Sequence, residues 1–305
     1  MNSNRVIVGI DGSVAGDQAL RWAAAEAVRR RANLTVLSAY SVPVSPSEEG
    51  YGLGMEAMRE RAQDVVGAAA RQLSELRECR VPAVPDAEHV EWEVVAGTPA
   101  GILVSRTGPD RLVVVGQRGL GGFDRVVLGS VSSAVAAMAR GSVVIVPTDP
   151  MAQVSKSPCD GVGPVWRVVA AVDTDDQADR VLEQAFAEAE DAAAPLLVVH
   201  AVHPDFIAGP YAMVTAMSQE YRDEAREHLD RIMARWTEKF PRVEVTTEVV
   251  TGVITDVLRE RLSRHDVVVV GGRKHSALVG RVLGSVPDKL VRHATCPVMI
   301  AHEPR

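Results

Sequence analysis

Cysteine is scarce in this 305-residue chain. Cys79, Cys159 and Cys296 lie far apart, are odd in number and never form a CxxC pair. That argues against a disulfide framework or a structural zinc site and points to a reducing compartment, the cytoplasm. Aromatic residues are 4% of the chain, too few to build base-stacking platforms. Lys and Arg number 33 against 40 Asp and Glu, a net charge of −7, so nucleic acid and anionic membrane are not expected partners. No apolar run approaches the roughly 18 residues of a membrane helix, and the N-terminal MNSNRVIVGIDGS lacks a signal-peptide core. Familiar catalytic motifs are missing too. There is no GxxxxGK[ST], no GxGxxG after the first strand, no GxSxG and no HExxH.

What is present is an ordinary globular composition, 47% hydrophobic and 24% charged, in a chain long enough for two domains. The chain also repeats itself. Leu112–Val131 (LVVVGQRGLGGFDRVVLGSV) aligns without gaps with Val267–Val286 (VVVVGGRKHSALVGRVLGSV), 155 residues later (112 against 267). Arg5–Asp11 aligns with Arg167–Asp173, and Leu34–Ala39 with Leu196–Ala201, both 162 residues later (5 against 167). A duplicated domain is the economical reading, with residues 1–150 as the first copy, 151–164 as linker and 165–305 as the second.

Each copy alternates strands and helices. In the first, Val6–Ile10, Leu34–Tyr40, Val90–Val95, Leu112–Val115 and Val143–Val146 read as strands, the last two as nearly pure β-branched runs. Asp17–Arg31, the Met55-to-Leu76 stripe, a helix opened by Thr98-Pro99 and Ser130–Arg140 read as helices. Ser41–Gly54, rich in Ser, Pro, Glu and Gly, reads as a loop. This order predicts α/β domains, each a doubly wound, five-stranded parallel sheet.

In such sheets ligands bind beyond the carboxyl ends of strands. The loop Gly116–Gly129 leaves one of those ends and carries Gly116, Gly119, Gly121, Gly122 and Gly129. Ser130 follows at the start of a helix, where open N–H groups and the helix dipole favour an anion. Strand, glycine loop and helix start make a phosphate cradle, although tight turns and a simple serine cap use the same residues.

The spacing Gly116-x2-Gly119-x9-Gly129-Ser130 resembles the nucleotide signature of the universal stress protein family, and Asp11 in VGIDGS falls where that family places an acidic residue near adenine. The resemblance spans nearly the whole chain, as a tandem pair of such domains. It implies the universal stress protein fold, which is adenine nucleotide α-hydrolase-like, with strand order 3-2-1-4-5. It implies ATP as ligand, with magnesium left open. Carried over, Asp11 and Ala39 would face adenine or ribose, and Gly9, Val115 and Gly116 would line the nucleoside. Gly119, Gly129, Ser130, Val131 and Ser132 would surround the phosphates. Their counterparts are Asp173, Ala201, Gly271, Gly284 and Ser285. The apolar strands Ser142–Pro147 and Cys296–Ala301 are candidate edges; the resemblance implies that the two halves of the chain pack through them about a pseudo-two-fold, that chains pair further as a homodimer, and that there are regulatory protein partners.

The second copy departs from the signature. Lys274 replaces the middle glycine, Pro287 replaces Ser132, and Asp173-Thr174-Asp175-Asp176 replaces Asp11-Gly12-Ser13. Lys at a glycine position would be strained by a positive φ, Pro lacks an N–H, and added carboxylates repel phosphate. The second site is therefore expected to be weakened, although the Lys274 charge acts the other way. Arg118 between the first two glycines is either a phosphate contact or a solvated side chain. His200 and His203 lack a third ligand for a metal, and Met213, Met217 and Met233 read as helix core. No general base is evident beyond Asp11 or Asp124. The leading expectation is a nucleotide-binding regulatory protein, at most a slow ATPase. The alternatives are an adenine-nucleotide-using enzyme and an interaction module with a vestigial site.

Overall fold

The computed structural model describes residues 4–41, 48–79, 84–119, 128–148, 164–173, 177–202, 214–272 and 283–303. The chain divides into two compact units, built chiefly on Met1–Gly163 and on Pro164–Lys274 with Gly284–Ala301.

The first unit contains β1 (Arg5–Gly9), α1 (Val14–Arg29), β2 (Asn33–Tyr40), α2 (Glu48–Glu78), β3 (Val90–Ala96), α3 (Pro99–Arg106), β4 (Arg111–Gly116), α4 (Ser130–Met138) and β5 (Val143–Val146). The strands pair in parallel in the order β3-β2-β1-β4-β5. Val6, Val8, Leu34, Val36, Val113, Val114, Val143 and Val144 are fully buried. β-Branched residues suit such strands because both faces of a parallel sheet are covered. Helices α1 and α2 cover one face and α3 and α4 the other, as right-handed crossovers require when the winding reverses at β1 and β4.

The second unit repeats this with β6 (Arg167–Ala171), α5 (Ala178–Ala192), β7 (Leu196–Val202), α6 (Val214–Lys239), β8 (Val245–Thr251), α7 (Ile254–Arg261), β9 (Asp266–Gly271), α8 (Ser285–His293) and β10 (Val298–Ala301). Its strands run β8-β7-β6-β9-β10, all parallel. Both units thus have the order 3-2-1-4-5.

The segment read as a loop at 41–54 is corrected in part. Helix α2 reaches back to Glu48, through three glycines that each disfavour a helix by about 1 kcal/mol. The amphipathic stripe beyond them, with Ala62, Ala69, Leu73 and Leu76 buried on the sheet, carries the helix. Residues 42–47 and 149–163 lie outside the described residues, the latter taking in all of the expected linker 151–164 but Pro164. Among the described residues no helix is long and apolar enough to cross a membrane.

The cysteines also need a correction, because sequence spacing does not reveal which thiols meet in space. Cys79 is disulfide-bonded. Cys296 is a free, buried thiol. Burial, reinforced by the nearby Asp266 charge, pushes its pKa up to about 12. The thiolate is the reactive form, so at pH 8 only about one Cys296 in ten thousand is reactive even before access is considered. Ellman's reagent is therefore expected to leave Cys296 untouched in the native protein at pH 8 and to titrate it after unfolding. Rapid native reaction at this residue would contradict that burial.

Candidate functional site

The parallel registers put three strand ends of the first unit side by side. Gly9 at the end of β1 lies between Leu37 of β2 and Val115 of β4. The chain beyond them carries Asp11, Ala39 and Gly116. This is the reversal point of strand order, where an open sheet parts to form a crevice.

Asp11 leaves β1 after Ile10, whose N–H still bonds to Leu37. Its carboxylate is locked in place. Oδ1 accepts from the Ser13 N–H at 3.0 Å and from the Ser13 hydroxyl at 2.5 Å. The same hydroxyl oxygen accepts from the Gly16 N–H at 3.1 Å and so caps α1. Gly12 between them has φ +78°, with Val65 of α2 close above it. The other oxygen, Oδ2, faces Gly119, where an added Cβ would run into it. Asp11 therefore abuts the middle glycine of the loop that follows β4 as well as standing near the expected adenine side. In the first turn of α1, Asp17 is raised above the ordinary aspartate range. Desolvation is the main cause; Arg21 opposes the rise and the Asp11 charge adds to it.

Contact with Asp11 revises the reason for Gly119. The left-handed region holds Gly12, Gly97 and Gly252 among the described glycines, and not Gly119. What excludes a side chain there is the Asp11 carboxylate. The strain argued for Lys274 from a positive φ loses its basis with it; Lys274 lies outside the described residues, as do Gly121, Gly122 and Asp124. Gly116 is excluded from bearing a side chain by backbone. A Cβ there would sit 2.5 Å from the Ala15 carbonyl oxygen and 2.6 Å from its carbon.

The loop returns at Leu128, which is buried and anchors the start of α4. Gly129 is the N-cap and Ser130, exposed, is the first helical residue; no side chain caps the helix. The first intrahelical bond runs from the Ser133 N–H to the Gly129 carbonyl at 2.8 Å. That leaves the N–H groups of Ser130, Val131 and Ser132 outside the helical ladder, which is the anion-binding end of a helix. The Ser132 hydroxyl is committed elsewhere: buried, it donates to the Gly116 carbonyl at 2.6 Å. Its contribution there is to tie α4 to the end of β4. Arg118 is half-buried.

Other expected contacts fall at different depths. Ala39 is half-buried near the end of β2. Val115 is buried in the sheet, and a Cβ on Gly9 would press on the end of the Leu103 side chain of α3, at 2.8 Å.

The second unit brings Asp173, Ala201, Gly271, Gly284 and Ser285 to equivalent strand and helix ends, with different surroundings. Asp173 is exposed. Helix α5 starts at Ala178 with Gln177 as N-cap and no side-chain cap bond. Gln177, aligned with Ala15, lays its own side chain over the strand end: a Cβ on Gly271 would lie 2.6 Å from Gln177 Oε1. Gly284 caps α8 and Ser285 opens it, but buried Pro287 removes the third open N–H. His200, aligned with Ser38, is buried with Nδ1 2.9 Å from the Val172 carbonyl, a structural bond. Thr174, Asp175, Asp176, His203 and Met213 lie outside the described residues, as does the side chain of Met217. Met233 is buried core.

Sequence reasoning missed Gln117 and Gln177 as shapers of these sites. The Asp-x-Ser spacing before a helix was a readable signal for Ser13. Gln117 and Gln177 carried none.

Comparison with known proteins agrees with this architecture. The model of the universal stress protein family matches residues 2–147 and again 166–302. A universal stress protein of Mycolicibacterium smegmatis is 29% identical over 298 residues, covering 97% of this chain and 96% of its own. One from Mycobacterium tuberculosis is 28% identical over 307 residues, covering 98% and 97%. The crystal structure of a universal stress protein from Archaeoglobus fulgidus superposes with a TM-score of 0.63 at 19% identity, covering 99% of both chains. With the family model matched in each half, the chain belongs to the universal stress protein family, as a tandem two-domain member.

Proposed function

We propose that the first domain binds ATP, or a close adenine nucleotide, and that occupancy serves regulation in a stress response. The observation that carries this reading is the start of α4: three open N–H groups lie behind a glycine loop whose middle glycine abuts a locked Asp11. Backbone donors and a helix dipole hold phosphate without a basic side-chain surface, which suits a chain of net charge −7. The adenosine would lie over the ends of β1 and β2, near Asp11 and Ala39.

The role proposed is binding, not turnover. Asp11 has one oxygen held by Ser13 and the other against Gly119, an arrangement that positions a ligand better than it accepts a proton. The second domain binds weakly or not at all, for two reasons: Gln177 overlies Gly271, and Pro287 shortens the row of donors. A homodimer with domains at 1–150 and 165–305 belongs to the same proposal.

The test is the nucleotide that stays with the purified chain, extracted and identified by mass spectrometry. About one adenine nucleotide per chain is expected, all of it lost in a Gly119→Lys variant. Nucleotide retained in equal amount by that variant would overturn the assignment of the site.

A further inference from the structure

Gln117 lies between the first two glycines of the loop, at a position the nucleotide signature leaves open. It is nevertheless 6% exposed. Three of its groups are engaged. Its N–H donates to the Val146 carbonyl at 2.7 Å, extending the β4–β5 ladder by one residue. Its carbonyl accepts the Gly129 N–H at 2.9 Å, which closes the loop between its two ends. Its side-chain Oε1 accepts the Thr148 N–H at 3.4 Å, just beyond β5. The two ends of the loop pass so closely that a Cβ on Gly129 would lie 3.3 Å from the Arg118 Cα.

The second unit is a natural comparison. The residue aligned with Gln117 is Gly272, which has no side chain. Its N–H still reaches the last strand, bonding to the Ala301 carbonyl at 3.2 Å. Among the described residues, however, Gly284 makes no return bond to Gly272. The return bond and the buried glutamine occur together in the first unit; at the aligned described residues of the second, Gly272 and Gly284, neither is found.

We propose that Gln117 is a positioning residue of the phosphate loop. It touches no ligand in this account. Its side chain pins the backbone at 117 to the end of β5, so that its carbonyl stays aimed at the Gly129 N–H. That fixes Gly129 as N-cap and aligns the open N–H groups of Ser130, Val131 and Ser132 on one point. A buried amide with a fixed backbone partner suits such pre-organisation, because the ordering is complete before ligand arrives. The inference rests on the proposed nucleotide site for its consequence, but not for the loop geometry.

Two measurements on the full chain separate these parts. Hydrogen–deuterium exchange is read first, without nucleotide, on the peptide covering Gly129 and the start of α4. Gln117→Gly, which copies Gly272, and Gln117→Met, which keeps volume but removes the acceptor, are both expected to speed exchange at Gly129 by about fivefold, the value of one ordinary hydrogen bond. Unchanged exchange in both variants overturns the proposal, whatever the protein binds. Titration then compares ATP with adenosine. Both variants are expected to lose about fivefold or more in ATP affinity and to keep adenosine affinity, because only the phosphates use the loop. Equal loss for both ligands would show a merely structural role and overturn the proposal. A wild-type chain that binds neither ligand, yet shows the exchange difference, would sink the nucleotide reading and leave the loop-closing role supported.

Discussion

Gly119→Ala is expected to weaken ATP binding about tenfold or more, roughly 1.4 kcal/mol, while leaving the chain folded. The loop at Gly119 is exposed, so a methyl group there disturbs no core. It does meet Asp11 Oδ2. Asp11 has little freedom to yield, because Ser13 holds Oδ1 with both its N–H and its hydroxyl. Either the carboxylate leaves its clamp or the loop shifts away from the donors of α4. Both outcomes spoil a site that depends on several groups converging. Gly119→Lys tests the same contact more severely, since it adds a cation that would by itself attract phosphate. A gain in ATP affinity with Lys would show that charge, not the contact with Asp11, governs this position. Calorimetric titration of the two variants against wild type decides it.

Gly116→Ala and Gly271→Ala, though aligned, are expected to differ sharply in stability. In the first domain the new methyl would overlap the backbone of Ala15, at 2.5 Å from its oxygen and 2.6 Å from its carbon. Backbone in the first turn of α1 cannot swing aside, and the helix would have to move off the sheet. The cost is about 3 kcal/mol, at the upper end of ordinary overpacking. That corresponds to a fall in Tm of roughly 8 °C for a domain of this size. In the second domain the methyl meets the end of the Gln177 side chain, at 2.6 Å from Oε1. A side-chain amide can rotate to another rotamer, so Gly271→Ala is expected to cost under about 1 kcal/mol. Calorimetric melting of the two variants measures both values. Equal destabilisation would mean that Gln177 is fixed as firmly as the backbone it replaces.

These two predictions also mark what was legible in the sequence. The strands were readable because runs such as Val143–Val146 leave little alternative to a buried parallel strand. The loop Gly116–Gly129 was readable as the connection from β4 to α4, but its glycines alone did not separate a tight turn from a phosphate cradle. The reasons behind individual residues were not. Gly119 suggested a backbone conformation, whereas its neighbour is a carboxylate just beyond β1, more than a hundred residues earlier in the chain. Ser132 suggested a phosphate contact, whereas its hydroxyl holds the Gly116 carbonyl. Glu48–Gly54 looked like a loop because local propensity is weak there, and tertiary packing of the stripe beyond it extended α2. Cys79 looked like a lone thiol because pairing is a fact of space, not of spacing. Each miss concerns a contact between segments distant in sequence, which periodicity and motif spacing do not encode.

The divergence between the two domains has the same character. The substitutions at Lys274 and Pro287 can be seen by alignment, but Gln177 over Gly271 and the missing bond from Gly284 to Gly272 emerge only when the strand ends are assembled. Together they leave one domain with a locked acidic residue, a closed loop and three donors. The other has an amide laid across its strand end and two donors.

The central claim is that this asymmetry makes one nucleotide site per chain. Isothermal titration of the nucleotide-stripped, full-length protein with ATP tests it most directly. A stoichiometry of about one per chain, abolished by Gly119→Lys, is the predicted result. Two equal sites per chain, or binding that survives Gly119→Lys unchanged, would contradict it.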